Sequence, residues 1–169
     1  RRTPALLAST ALVASLGLAG CSSSSDDAAS SSTTASGVTT TAPVTIGTIP
    51  ANYRSPAGTW GTEPDVGLPK AAPPTQLEVA ELIPGTGQQV AVGSTVEVQY
   101  VLATYSSQKV VQSSWSSQPF SFTVGQGSVI KGWDAGLVGA KQGGRYELIT
   151  TRSLGYGAQS PGAGIAPND

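Results

Sequence analysis

The chain has 169 residues and a net charge of -1, and only 11 % of its residues are charged. No Lys/Arg stripe is present that could neutralise phosphates, so the composition argues against a nucleic-acid partner. The absence of histidine and the presence of a single cysteine exclude a Ser-His-Asp triad, a Cys-His pair, most zinc sites and an intrachain disulfide. We therefore expect no metal and no cofactor.

Residues 1–20 have the pattern of an export signal. Two arginines open the chain, and an uncharged, alanine-rich run follows them. The run is too short and too rich in alanine to span a membrane. A basic start followed by a short apolar run favours a secretory signal over the alternative, a buried helix of a globular domain. Its last residues, Leu18-Ala19-Gly20-Cys21, resemble the bacterial lipobox. The resemblance implies that Cys21 is lipid-modified and becomes the mature N-terminus.

Residues 21–74 are predicted to be a tether and linker. The Ser/Thr/Ala tract after Cys21 has no hydrophobic periodicity and cannot bury a core. From residue 43 onward the chain gains proline, glycine and isolated apolar residues. We expect mostly irregular structure there that docks loosely onto the folded domain, with Trp60 as a packing anchor.

The folded domain is predicted at residues 75–169. Alternating or apolar runs predict five strands, at Leu77–Ile83, 95–102, Lys109–Ser113, 119–124 and 145–151. A single helical stripe is formed by Ile130, Trp133, Leu137 and Val138. Gly132 and Gly136 beside Trp133 would let other parts of the chain approach closely. The layout predicts an α+β domain with one short helix across a strand-rich sheet.

Three stretches together resemble the FK506-binding (FKBP) class of peptidyl-prolyl isomerases: LEVAELIPGTGQQVAVGSTVEVQYVLA, QPFSFTVGQG and VIKGWDAGLVGAKQGGRYELITTRSLGYG. The resemblance implies a twisted antiparallel five- to six-stranded sheet wrapped around one short helix. The family's last strand follows the PND segment, and this chain stops at Asp169. Because a starting methionine is also absent, we expect that the sequence is a piece of a longer protein and that the last strand is missing from it.

The resemblance also implies the site. Trp133 would be the pocket floor, and the Tyr156 hydroxyl and the Ile130 backbone N–H would each donate a hydrogen bond to a substrate carbonyl. The remaining substrate-binding residues would be Tyr100, Val111, Gln112, Phe120, Val129 and Ile165. Val111 and Gln112 depart from the family, which usually has an aromatic residue followed by Asp at these positions. The departure makes one wall shallower and removes a charged acceptor.

The implied function is rotation of Xaa-Pro bonds in exported polypeptides, by an isomerase lipid-anchored to the outer face of the bacterial plasma membrane. Macrolides of the FK506 type are the implied inhibitors. Bond rotation needs no nucleophile, and Ser113 and Ser114 are interpreted as turn or strand-end hydroxyls. A catalytically weak proline-binding module, favoured by Val111 and Gln112, remains an alternative. A chaperone that holds unfolded clients is a third, and it would need a large exposed apolar patch.

Overall fold

The computed structural model describes residues 43–68 and 70–169. The predicted signal at 1–20, Cys21 and the first part of the tether lie outside the described residues. The strands are β1 Ile46–Thr48, β2 Leu77–Ile83, β3 Thr95–Val98, β4 Val101–Thr104, β5 Lys109–Ser113, β6 Phe120–Thr123 and β7 Arg145–Ile149. The α-helix α1 spans Lys131–Gly136, and a 3-10 turn spans Ala51–Tyr53. In this part of the chain no helix is long and apolar enough to cross a membrane.

The strands form three hydrogen-bonded groups, β1-β2-β7, β3-β6 and β4-β5. Every pairing is antiparallel except that of β1 with β2, which is parallel. Helix α1 contacts β2 and β7. The predicted α+β class with one short helix is therefore confirmed, while the parallel strand β1 was not predicted.

The prediction of one continuous strand at 95–102 is wrong. The chain forms β3 and β4 with Gln99 and Tyr100 between them, because β3 pairs with β6 whereas β4 pairs with β5. An alternating pattern reports which face a side chain takes and carries no information about which strand lies at each edge. Among the described residues, β4 and β7 each pair along only one edge.

Two glycines allow helix α1 to lie close to the sheet and the following loop. A Cβ atom added to Gly136 would lie 2.5 Å from Leu148 Cδ2, and one added to Gly132 would overlap the Thr150 side chain. The Gly132 N–H donates to the carbonyl oxygen of Leu154 at 2.8 Å, so backbone does approach the helix there. Val138 does not continue the predicted stripe and is 44 % exposed, because the helix ends at Gly136 and Leu137 is its C-cap.

Residues 46–68, here called the docking segment, bind the domain through specific contacts. Ile49 is fully buried, and Ser55 is 7 % exposed. The Ser55 N–H and hydroxyl donate to the two carboxylate oxygens of Glu147, at 2.9 Å and 2.5 Å. The Ser55 hydroxyl oxygen also accepts the Gly67 N–H at 3.0 Å. Most of the segment is irregular, as predicted, but its docking is specific where loose docking was expected.

Arg145 holds the turn that carries Trp60. Its guanidinium group donates to the carbonyl oxygens of Ala57, Thr59 and Thr62, at distances of 2.5–3.1 Å. Trp60 is nevertheless 64 % exposed, so the prediction that it is a packing anchor is wrong. The reason is that Trp60 lies at the outer corner of a turn closed by the Thr62 N–H and the Thr59 carbonyl, and the turn is held through its backbone.

We expect Glu147→Ala to lower the free energy of unfolding by about 1–3 kcal/mol, because it leaves the buried N–H and hydroxyl of Ser55 without an acceptor. Urea unfolding of wild type and variant measures the difference. Glu63→Ala is the matched control, since Glu63 is an exposed carboxylate that also accepts a serine hydroxyl, that of Ser113 at 2.5 Å. The control should stay within about 0.5 kcal/mol of wild type. Equal unfolding midpoints for wild type and Glu147→Ala would contradict a specific docking role.

Candidate active site

Four aromatic rings meet between helix α1 and strands β3 and β6. Trp133 lies 5.4 Å from Tyr100 and 5.5 Å from Phe122, measured between ring centroids. Phe120 stacks on Phe122 at 5.6 Å and lies edge-on to Tyr100 at 6.2 Å. Phe122 is buried, whereas Phe120 is 41 % exposed. The cluster therefore has a closed inner side and an open outer side.

Next to this cluster is a cavity of about 580 Å³. Five of the nine predicted pocket residues line it, namely Tyr100, Ile130, Trp133, Tyr156 and Ile165. These residues come from four separate parts of the chain, and the fold brings them to one cavity. The cavity also extends along the unpaired edges of β4 and β7 to the docking segment.

The other four predicted residues lie at or beyond its border. Phe120 contacts Trp133 with a centroid distance of 6.4 Å and so joins the cluster. Val111 is half-buried beside the loop that carries Ile165, since a Cβ on Gly164 would lie 3.7 Å from Val111 Cγ1. Gln112 is exposed on β5, and Val129 is half-buried one residue before Ile130. The structure does not bring Gln112 or Val129 to the cavity wall, and their binding roles stay predictions.

Tyr156 is positioned by a loop whose backbone groups bond to one another. The Gly155 N–H donates to the Thr151 carbonyl and the Gly157 N–H to the Arg152 carbonyl, each at 2.9 Å. Gly157 has a φ of +61°, a conformation that glycine adopts without a steric cost. Burial, and then the neighbouring phenol of Tyr100, raise the pKa of Tyr156 above its ordinary value. The hydroxyl therefore remains a neutral hydrogen-bond donor at physiological pH.

Ile130 and Ile165 are fixed by backbone hydrogen bonds. Ile130 directly precedes α1, and its carbonyl oxygen accepts the N–H of Trp133 at 2.9 Å. Ile165 is 5 % exposed; its N–H donates to the Gly162 carbonyl, and its own carbonyl accepts the Ser160 hydroxyl at 2.7 Å. A compact turn thus directs an aliphatic side chain inward from an otherwise exposed loop.

Two residues with a place in the site were not predicted. The Asp134 carboxylate accepts the N–H groups of Gly125 and Gly127, at 2.7 Å and 2.9 Å, and so ties α1 to the loop after β6. An acidic residue in the first turn of a helix, close to a Gly-x-Gly loop, is a sequence signal for such a contact. Trp115 also lines the cavity, and no pattern around it indicated this.

Near Trp133 the cavity combines apolar walls with a few neutral hydrogen-bond donors, while charged residues line other parts of it, namely Glu97, Arg145, Glu147 and Asp169. Such a site can enclose a proline ring, exclude water from the adjoining amide and bond to its carbonyl groups. Rotation about an amide needs no acid, base or nucleophile, since no covalent bond is made or broken. The α+β fold and this site therefore define a peptide-binding domain suited to amide rotation.

Comparison with known proteins places the chain within a family. The family of FKBP-type peptidyl-prolyl cis-trans isomerases matches residues 86–169. An FK506-binding protein of Streptomyces anulatus is 39 % identical over 109 residues, which cover 63 % of this chain and 88 % of the relative. An FK506-binding protein of Neisseria meningitidis serogroup A is 36 % identical over 92 residues, covering 54 % and 84 %. The crystal structure of AtFKBP13 matches 57 % of this chain and 86 % of its own, with 29 % identity and a TM-score of 0.49. The chain belongs to the FKBP-type peptidyl-prolyl cis-trans isomerase family.

We expect Tyr156→Phe to keep the fold and to lower kcat/KM about 3- to 10-fold, the range typical of one lost hydrogen bond. The wild-type rate should stay level from about pH 6 to 9, because the raised pKa keeps the phenol protonated there. The raised pKa of Tyr156 also affects the pH dependence of stability. It contributes to the stability of the fold below the ordinary pKa of tyrosine, and this contribution is lost as the pH rises through the raised pKa. Peptide isomerisation followed from about pH 6 to 9 measures both the loss of kcat/KM in Tyr156→Phe and the pH dependence of the wild-type rate. Unchanged turnover in Tyr156→Phe would remove the hydroxyl from the mechanism.

Proposed function

We propose that this domain accelerates cis-trans isomerisation of Xaa-Pro bonds in exported polypeptides and thereby assists their folding. The observation that carries the proposal is the convergence of Trp133, Tyr100, Tyr156 and Ile165 on one cavity. Family membership supports the isomerase reaction. The substrate proline would lie on the Trp133 ring, with Ile165 and Tyr100 as walls.

The proposed mechanism lowers a rotational barrier of about 20 kcal/mol. Planarity of the amide depends on a charge-separated resonance form, which an apolar pocket stabilises less well than water does. The Tyr156 hydroxyl and the Ile130 N–H would hold neighbouring carbonyl groups while the bond twists. Each reduction of the barrier by about 1.4 kcal/mol gives a tenfold faster rate.

The location of the protein is part of the proposal. Lipid-modified Cys21 would anchor the chain to the outer face of the plasma membrane, and the Ser/Thr-rich tract would be its tether. About 25 residues of such a flexible chain span roughly 25–30 Å root-mean-square. A domain tethered at this distance would meet polypeptides as they leave the export machinery. Macrolides of the FK506 type would compete with these substrates, as the names of the relatives suggest.

A proline-binding module with little catalytic activity is the second candidate. It is favoured by Val111, whose small side chain would make a shallower wall than an aromatic ring, and by Gln112, whose side chain is exposed and uncharged. Such a module would bind proline-containing partners through the same cavity. Catalysis of peptide isomerisation distinguishes the two candidates.

We expect the protein beginning at residue 22 to accelerate cis-to-trans relaxation of a short Leu-Pro or Phe-Pro peptide. Trp133→Ala should abolish most of the acceleration and lower stability by less than the roughly 3–5 kcal/mol lost with a fully buried ring, since the Trp133 ring is half-buried and packs against Tyr100 and Phe122. Val138→Ala is the matched control, because Val138 is exposed just beyond the same helix. It should leave both properties nearly unchanged. Peptide binding by folded wild-type protein without any acceleration would establish the binding module instead.

For the location, we expect Cys21→Ala to release the protein from the membrane fraction into the medium and to abolish incorporation of labelled fatty acid. Expression in a Gram-positive host followed by fractionation and lipid labelling measures both results. Ser22→Ala is the control and should remain membrane-bound. A Cys21→Ala protein that stays in the membrane fraction to the same extent as wild type would refute the anchor.

A further inference from the structure

Ser114 lies where the ladder between β4 and β5 ends, directly opposite Tyr100. Val101 pairs with Ser113, so Tyr100 and Ser114 form the next pair along the two strands. Residues opposite each other in a hydrogen-bonded antiparallel pair normally exchange two bonds between their backbone groups. The first bond is present, because the Ser114 N–H donates to the Tyr100 carbonyl oxygen at 3.0 Å.

The second bond is made by a side chain. The Ser114 carbonyl has turned away and accepts the N–H and the hydroxyl of Ser117, at 2.9 Å and 3.1 Å. The Tyr100 N–H donates to the Ser114 hydroxyl oxygen at 2.9 Å, and the Ser114 hydroxyl donates in turn to Gln99 Oε1. One hydroxyl thus substitutes for the missing backbone acceptor and binds the residues on both sides of the peptide between Gln99 and Tyr100.

These bonds are partly shielded from water, since Ser114 is only 5 % exposed and Tyr100 is half-buried, whereas Gln99 is exposed. They act at the break between β3 and β4, where Tyr100 lies outside both strands. The same tyrosine carries the ring that packs edge-on against Trp133 and lines the cavity. The position of that ring therefore depends on a backbone that is held by only one of the two usual ladder bonds and by the Ser114 hydroxyl.

We propose that Ser114 is a positioning residue that fixes the Tyr100 ring against Trp133 in the proline pocket. The effect of Ser114 on catalysis rests on the proposed function. Ser114 itself does not line the cavity and acts only through Tyr100. The hydroxyl is required because an aliphatic side chain would leave the Tyr100 N–H buried without an acceptor.

The test uses the protein beginning at residue 22 with Ser114→Ala, and Ser113→Ala is the matched control. Ser113 is the adjacent serine, and its hydroxyl bonds to Glu63 of the docking segment. The first measurement is the NMR shift of the Tyr100 ring protons, which the nearby Trp133 ring displaces. The second is kcat/KM for a Leu-Pro or Phe-Pro peptide. Ser114→Ala should move the ring signals and lower kcat/KM about 3- to 10-fold, while Ser113→Ala should change kcat/KM less than about twofold.

A double-mutant cycle with Tyr100→Leu separates positioning from general loss of structure. In that background, Ser114→Ala should lower kcat/KM by less than about twofold, because the ring that it positions is gone. Persistence of the full loss in the cycle would overturn the proposal. If Ser114→Ala does not fold, Gln99→Ala provides a second variant, since Gln99 is exposed and its Oε1 accepts the hydrogen bond from the Ser114 hydroxyl. It should give a smaller shift of the Tyr100 ring signals and a smaller loss of kcat/KM.

The NMR measurement also distinguishes this inference from the proposed function. Absence of isomerase activity in the wild type would refute the proposed function, whereas a Tyr100 shift seen in Ser114→Ala and absent from Ser113→Ala would still support the positioning role. Ring signals that do not move in either Ser114→Ala or Gln99→Ala, or that move equally in Ser113→Ala, would overturn the positioning role even in an active enzyme.

Discussion

The candidate site depends on the close contact of helix α1 with the sheet. Gly132 and Gly136 have no side chains to keep the helix away from Thr150 and Leu148, so the six-residue helix lies directly against them. This depth places Trp133 within 5.5 Å of Tyr100 and Phe122, measured between ring centroids. A helix of this length has little stability of its own, so packing must stabilise it. The Trp133 ring, which lines the cavity, also contributes to that packing through Tyr100 and Phe122.

The walls of the pocket come mainly from loops, and polar contacts within or next to those loops hold them. Asp134 fixes the loop after β6, the Gly132 N–H fixes the loop before Tyr156, and Ser160 fixes Ile165. The functional groups that result are neutral, which suits a reaction in which no proton moves. A rigid apolar pocket requires this arrangement, because buried backbone groups must find partners within the protein.

Contacts between the docking segment and β7 extend the domain beyond the part that matches its family. Ser55 and Glu147 are 92 residues apart in the chain, and Arg145 holds three carbonyl groups of the docking segment. Arg145 and Glu147 lie two residues apart on β7 and so share one face of the strand. Leu148 lies on the other face, where it is next to Gly136 of the helix. One strand therefore supports the helix on one face and the docking segment on the other, and this connects the stability of the segment to that of the site.

The sequence alone determined the fold class and the bounds of β2 and β5, and it named nine pocket residues, of which the structure brings five to one cavity. Hydrophobic alternation, helix spacing and family motifs are patterns among neighbouring residues, so they can be recognised in the sequence without the structure. Only the tertiary structure decided that 95–102 divides into two strands, that Trp60 is exposed, and that Ser114 holds Tyr100. Those outcomes depend on which strand lies at an edge and on which distant group accepts a hydrogen bond. Such choices are made between parts of the chain that meet only on folding, so no pattern among sequence neighbours records them.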